Sequence, residues 1–174
     1  SETDRRPEEG PAEKEKLYTI DFQIDTDLEI MFPDEYISNI SERIRLYKEL
    51  NEINTGEELQ LYIKRLTDRF GPVPGPAVDL LDIVRIKWIA VRLGMEKILL
   101  KNNLMIINFI SDPNSSFYRS RLFVSIMNYV NRHQNQMSVK QKESKLSLTV
   151  SDVNSVNKAI SLINEIQNYH ENSA

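Results

Sequence analysis

Proton transfer, nucleophilic attack and metal binding each require particular side chains, and this sequence supplies few of them. Its 174 residues hold no cysteine, two histidines and five scattered glycines. The lack of cysteine excludes disulfides, thiolate metal sites, iron–sulfur clusters and cysteine nucleophiles. His133 sits in the run RHQNQ and His170 lies four residues from the last residue; a solvated or capping role accounts for each. Asp21, Asp25, Asp27 and Glu29 are the densest carboxylates outside the first sixteen residues. On an alternating strand they splay along one face and do not converge on a cation. Asp79 and Asp82 open a helix, where carboxylates complement the dipole. No GxxxxGK(S/T) loop, serine elbow or histidine pair at metal-ligand spacing occurs. An enzyme is not the expectation.

Charge is more informative than chemistry. The formal net charge of -4 argues against a domain whose main task is gripping a phosphate backbone. It is an average over opposed sectors. Residues 17–60 carry eleven acids and three bases, residues 61–110 four acids and eight bases, and residues 111–149 two acids and six bases. An acidic sector beside basic ones suits docking to another protein domain. Arg119, Arg121, Arg132, Lys140, Lys142 and Lys145 are a candidate nucleic-acid contact, although no aromatic side chains interleave with them. The most specific short stretch is Lys64-Arg65-Leu66-Thr67-Asp68-Arg69-Phe70-Gly71-Pro72-Val73-Pro74. Leu66 and Phe70 fall on an apolar stripe, which turns Asp68 and Arg69 outward beside a stiff proline turn, a candidate docking epitope.

The elements that must position these residues follow from periodicity. Residues 1–16 hold six acids, four bases and no large apolar side chain, and are read as a flexible linker from a longer protein. Residues 17–32 alternate, with Tyr18, Ile20, Phe22, Ile24, Leu28, Ile30 and Phe32 on one face, an extended lead-in to the domain at 17–174. Ile37, Ile40, Ile44, Tyr47 and Leu50 predict a helical stripe. Thr55 and Glu58 form a capping box before a helix whose stripe is Leu59, Tyr62, Ile63, Leu66 and Phe70, closed by Gly71. Pro76 to about Leu93 is apolar around most of its circumference, which predicts a central helix. Asn102-Asn103 and the turn near Lys142–Ser144 each predict a hairpin. A helix follows each, to about His133 and from Ser151 or Asp152. The expected fold is therefore α+β: a helical first half packed with a small, mostly antiparallel four-stranded sheet built from two hairpins, in strand-strand-helix order twice. No apolar run reaches the ~18 residues of a membrane span, and a cytoplasmic protein is expected.

Several runs resemble the C-terminal domain of the bacterial transcription-repair-coupling factor family. They are Phe32-Pro33-Asp34-Glu35-Tyr36-Ile37, Arg43-Ile44-Arg45-Leu46-Tyr47-Lys48-Glu49-Leu50, Asp68-Arg69-Phe70-Gly71-Pro72-Val73-Pro74, Arg85-Ile86-Lys87 and Leu93-Gly94-Met95-Glu96-Lys97-Ile98. The resemblance is dense over residues 30–98. It implies a domain that is not itself catalytic, in a superfamily-2 DNA translocase that uses ATP and magnesium elsewhere in the chain. In that family the translocase displaces stalled RNA polymerase, and its C-terminal domain packs on an excinuclease-B-like domain and masks the surface for excinuclease A. DNA contact belongs to the motor domains, and no membrane is involved. The resemblance carries the family's interdomain ionic contacts to Asp68 and Arg69. Arg65 stands where the family has an acid, which leaves Glu57 or Glu58 on the same helix to take over that contact. The alternative is a nucleic-acid-binding module using the basic cluster at 119–145.

Overall fold

The structure is a computed structural model and describes residue 18 and residues 21–173. The linker assigned to residues 1–16, and Ile20 of the lead-in, lie outside the described residues. Helix α1 spans Ile40–Asn51, α2 Gly56–Phe70 and α3 Gly75–Arg92. Asn39 caps α1 by accepting the Glu42 amide at 2.9 Å, and Thr55 caps α2 by accepting the Glu58 amide at 3.2 Å. Gly71, at φ +86°, ends α2, in a conformation that L side chains disfavour. Pro74 and Pro76 then set the start of α3.

The stripe expected on α1 is rotated. Ile37 is buried, but in the turn before the helix, where its amide bonds to the Pro33 carbonyl. The helix buries Leu46 and Leu50 and leaves Ile40 at 64% and Ile44 at 49% exposure. Spacing alone could not separate a turn residue from the first residue of a stripe. Phe32, Ile37, Leu46, Leu50, Leu59, Tyr62 and Leu66 form one core with Ala77 and Leu81 from the first half of α3.

The second core lies under a sheet. Strands β1 Gln23–Thr26, β2 Met95–Lys101, β3 Leu104–Phe109, β4 Met137–Lys142 and β5 Lys145–Ser151 make one sheet, ordered β1-β2-β3-β5-β4. The expected four strands are thus corrected to five. β2–β3 and β4–β5 are the two hairpins, and β3 pairs antiparallel with β5. The fifth strand comes from the lead-in and pairs parallel with β2, Ile24 opposite Ile98. A parallel partner lies across a long crossover, here all three helices, so nothing local in the sequence points to it. Asn102 and Asn103, at φ 53° and 63°, make the β2–β3 turn as asparagine permits. A 3-10 turn at Ser116–Arg119 leads to α4, Arg121–Arg132, and the chain's last helix is α5, Val156–Asn172. Strand-strand-helix order does occur twice.

α3 joins the two cores. Its first half serves the helical core, while Ile86 and Ala90, with Leu93 just beyond, pack with Ile98, Ile107, Phe117, Ile126 and Ile163 under the sheet. That shared burial explains why its sequence is apolar on so many sides. Gly94 ends the helix at φ +70°, and a Cβ there would lie 2.4 Å from the Phe117 ring. Both the turn and the close approach therefore require glycine.

Candidate functional site

The outward face of α2 and the neighbouring edge of α1 carry the first set of candidate residues. Asp68, Arg69, Arg65 and Glu58 are all exposed. The two arginines lean toward α1. Arg65 donates to the Glu49 carboxylate, and Arg69 pairs with Glu42, which Arg45 also approaches at 3.6 Å. Their guanidinium groups lie 5.9 Å from the Tyr62 ring and 5.2 Å from the Phe70 ring, so each arginine is held by a carboxylate and a π face. Asp68, one residue away, has no hydrogen-bonding or ion-pair partner for its side chain among the described residues. Glu58 uses its backbone amide at the cap and leaves its carboxylate to solvent.

Between these side chains runs a groove of about 630 Å³, lined by Glu49, Glu52, Glu58, Leu61, Lys64, Arg65 and Asp68 with Ile53 at its base. Leu61 is 63% exposed. An apolar residue that stands out among charges is the type that gains most when a partner covers it. Sequence reasoning missed Leu61 and the α1 partners Glu42 and Glu49. A signal for Leu61 existed, since it falls outside the Leu59–Tyr62–Leu66 stripe. No signal existed for the glutamates, which reach α2 only through the fold of the helix pair.

The face stands on a stiff base. The Tyr36 hydroxyl reaches the Gly71 carbonyl at 2.9 Å and the Leu66 carbonyl at 3.3 Å. Arg43 pairs with Asp34 at 2.8 Å and donates to the Ile37 carbonyl at 2.9 Å. Inside the pair, the Tyr62 hydroxyl donates to the Leu46 carbonyl at 2.8 Å. Burial, then the Glu49 charge, pushes that phenol well above its ordinary range.

The second candidate set divides between two layers. Arg119 ends the 3-10 turn and donates to the Asn114 carbonyl at 3.3 Å. Arg121 starts α4, and Arg132 ends it with its guanidinium 5.5 Å from the Tyr169 ring. Lys140 and Lys142 lie on β4 and Lys145 on β5, with Lys142 directly opposite Lys145. Three of the six therefore belong to the helical layer and three to a sheet hairpin.

Both histidines and the Asp25 and Asp27 carboxylates have structural partners. His133 Nδ1 lies 2.7 Å from the Tyr129 carbonyl, and its ring stacks on Tyr129. His170 Nδ1 lies 2.9 Å from the Ser125 hydroxyl, which also meets Ser173 Oγ at 3.1 Å. Lys101 pairs with Asp25 at 2.9 Å, and chiefly through that hydrogen bond the Asp25 carboxyl sits below its ordinary 3.8. Asp27 accepts the Asn102 amide at 3.4 Å. Among the described residues no group of three or more histidine or carboxylate side chains is arranged to hold a metal ion. No described helix is long and apolar enough to cross a membrane.

A family model described as "TRCF domain" matches residues 26–120, more than half of the chain. The transcription-repair-coupling factor of Rickettsia typhi is 28% identical over 117 residues, 67% of this chain and 10% of that protein. The factor of Escherichia coli is 33% identical over 84 residues, 48% of this chain and 7% of that protein. That of Staphylococcus epidermidis is 34% identical over 96 residues, 55% of this chain and 8% of that protein. The chain thus matches about a tenth or less of the length of these relatives. A crystal structure of the C-terminal domain of a transcription-repair coupling factor superposes with a TM-score of 0.69 at 18% identity. The match covers 88% of this chain and 97% of that one, a likeness of fold.

Proposed function

The chain belongs to the TRCF-domain family, the C-terminal domain of transcription-repair-coupling factors, and from that premise we propose that it is a non-catalytic autoinhibitory clamp. In this reading it docks on the excinuclease-B-like domain of the same polypeptide and masks the surface that receives excinuclease A. It thereby restrains a DNA translocase that uses ATP and magnesium until stalled RNA polymerase is engaged. The setting is the cytoplasm, with DNA held by the motor domains.

The observation that carries the reading is the outward face of α2. Arg65 and Arg69 are already fixed by α1, while Asp68 and Leu61 are exposed beside them with no partner for the carboxylate. Such a surface is preorganised: its long cations have lost rotamer freedom before the partner arrives. The missing family acid at Arg65 fits the same picture, because Arg65 is turned to Glu49 and the groove's acids without a partner among the described residues are Glu52, Glu58 and Asp68. Tethering in one polypeptide raises the local concentration of clamp and partner, so modest affinity suffices. Release then needs competing contacts worth a few kcal/mol, the usual size of an allosteric coupling.

The test is a titration of this chain against the isolated excinuclease-B-like domain. Replacing Asp68 and Arg69 together by alanine should weaken binding by about tenfold, equivalent to ~1.4 kcal/mol, with thermal unfolding shifted by no more than a surface substitution allows. Unchanged affinity in the double variant would overturn the reading.

A further inference from the structure

The sheet has a second face that the proposed clamp does not use. Helices α3, α4 and α5 cover one side, against Ile98, Leu100, Met105, Ile107, Leu148 and Val150. The strand register assigns the residues of the other side. One row across the sheet reads Gln23, Lys97, Asn108, Ser147, Lys140, and the next reads Asp25, Leu99, Ile106, Thr149, Ser138. Beyond them lie Lys101, Leu104 and Ser151 at one end and the facing pair Lys142 and Lys145 at the other. Five lysines thus share this face with Asp25, which is taken by Lys101, while Asp21 and Glu96, the latter bonded to the Ser111 amide, border it beside Lys97 and Lys145. Lys97, Lys140, Lys142 and Lys145 form no ion pair among the described residues.

We propose that this open sheet face is a separate docking surface for an acidic amphipathic helix of a protein partner. The lysines flank the face as two staggered rails: Lys97 on β2 faces Lys140 on β4 along one row, while Lys101 and Lys142 extend the two strands toward opposite ends. Two strands lie between, so the rails stand about 14 Å apart at ~4.8 Å per strand. A helix with its side chains is about 10–12 Å across, which fits between them. The floor is apolar along Leu99, Ile106 and Leu104, the last 37% exposed, and carries hydroxyls along Ser147 and Thr149. Lysine stems extend that apolar floor while their charges reach the rim. An apolar ridge with glutamates or aspartates on its flanks complements both features.

Nucleic acid fits less well. Single-stranded binding platforms stack bases on aromatic rings, and none of the residues in these rows is aromatic. A phosphate backbone would leave the leucine and isoleucine floor uncovered without a partner for it. The inference is independent of the α2 clamp, since it uses a different layer of the fold.

Fluorescence anisotropy of a labelled 18-residue peptide, with leucines at helical spacing flanked by glutamates, tests the proposal on the whole 174-residue chain. Saturable binding is expected, at least tenfold weaker for the Lys97→Glu/Lys140→Glu variant and for a peptide of the same composition in scrambled order. The Asp68→Ala/Arg69→Ala variant should bind the peptide as the parent does, which keeps the outcome separate from the clamp. Circular dichroism of the lysine variant confirms that it is folded, because both positions lie on the sheet's solvent face. The proposal is overturned by a lack of saturable peptide binding or by unchanged binding in the folded lysine variant. It is equally overturned if a labelled 20-base-pair DNA duplex binds more tightly than the peptide and loses that binding in the same variant. Self-association through this face, seen by sedimentation as a dimer that the lysine variant abolishes, would also overturn it.

Discussion

The helical end and the sheet end of this domain both display basic side chains, and they treat them differently. On the helical end, Arg43, Arg45, Arg65 and Arg69 each approach a carboxylate of the same helix pair or its leading turn. On the sheet face, Lys101 alone reaches one, and Lys142 stands opposite another lysine. Two helices with alternating charge bring acids and bases together across a narrow seam, whereas cross-strand neighbours come from distant sequence and are matched only by register. A count of charges therefore says little about which remain available. The helical end offers a surface of paired arginines with Asp68 and Leu61 left over, and the sheet end offers lysines mostly without ion pairs among the described residues around an apolar floor.

The comparison also concerns stability, and the largest test breaks each end in turn. Gly94→Ala forces a Cβ into the Phe117 ring at a positive φ and should cost about 3 kcal/mol through overpacking and backbone strain. Leu66→Ala opens the helical core and should cost a similar amount, about 3 kcal/mol. Because α3 belongs to both cores, each variant should still unfold in one step. Trp88, on α3, and far-UV circular dichroism should give coincident denaturant midpoints. Separated transitions would mean that the two ends are energetically independent.

Smaller substitutions sharpen the contrast in charge. Arg69→Ala removes an exposed pair with Glu42 and should destabilise by no more than about 1 kcal/mol. Lys142→Glu replaces a like-charge opposition with a pair facing Lys145 and should stabilise by about 0.2–1 kcal/mol. Opposite signs in urea midpoints support the distinction between the two ends; the same sign would remove it.

The smallest effects are expected from two carboxylates that differ in sign. Asp25, on the sheet, is held below 3.8 first by its hydrogen bond from Lys101. Its contribution is present above the unfolded value and is lost as pH falls through the lowered folded value. Asp79, in the second turn of α3 and not at its opening as the sequence suggests, is held above 3.8 first by burial and then by Asp82. Its contribution is present below the unfolded value and is lost as pH rises through the raised one. At neutral pH, Asp25→Asn should therefore lose stability and Asp79→Asn should gain it. Denaturation series from about pH 3 to pH 7 should show both differences shrinking on the acid side. Two variants shifting in the same direction at neutral pH would contradict the assignment.

Much of the fold was legible because it is local. Thr55 announced a cap, Gly71 and Gly94 announced stops, Asn102-Asn103 announced a hairpin, and the apolar run of α3 announced a central helix. Caps, turns and periodicity depend on a few neighbouring residues, and the chain specifies them before any tertiary contact forms. Asp68 and Arg69 were legible as outward-facing for the same reason, since Leu66 and Phe70 orient their helix.

Tertiary structure decided what depends on residues far apart in sequence. The alternation of residues 17–32 was plain, but only pairing of Ile24 with Ile98 made Gln23–Thr26 the fifth strand of a mixed sheet. Ile40 and Ile44 had the right spacing for a core, yet the helix pair buried Leu46 beside the expected Leu50 and left both isoleucines exposed. Asp68 and Arg69 share an outward setting in the sequence, yet only the fold gives Arg69 its partner Glu42 and Arg65 its partner Glu49 on α1. The lysines of β2 and β4 became two rails only when β3 and β5 came between them. Side-chain chemistry and local propensity are properties of the sequence. Which side chains end up paired, covered or left over is a property of distance in the folded chain, and no local pattern encodes it.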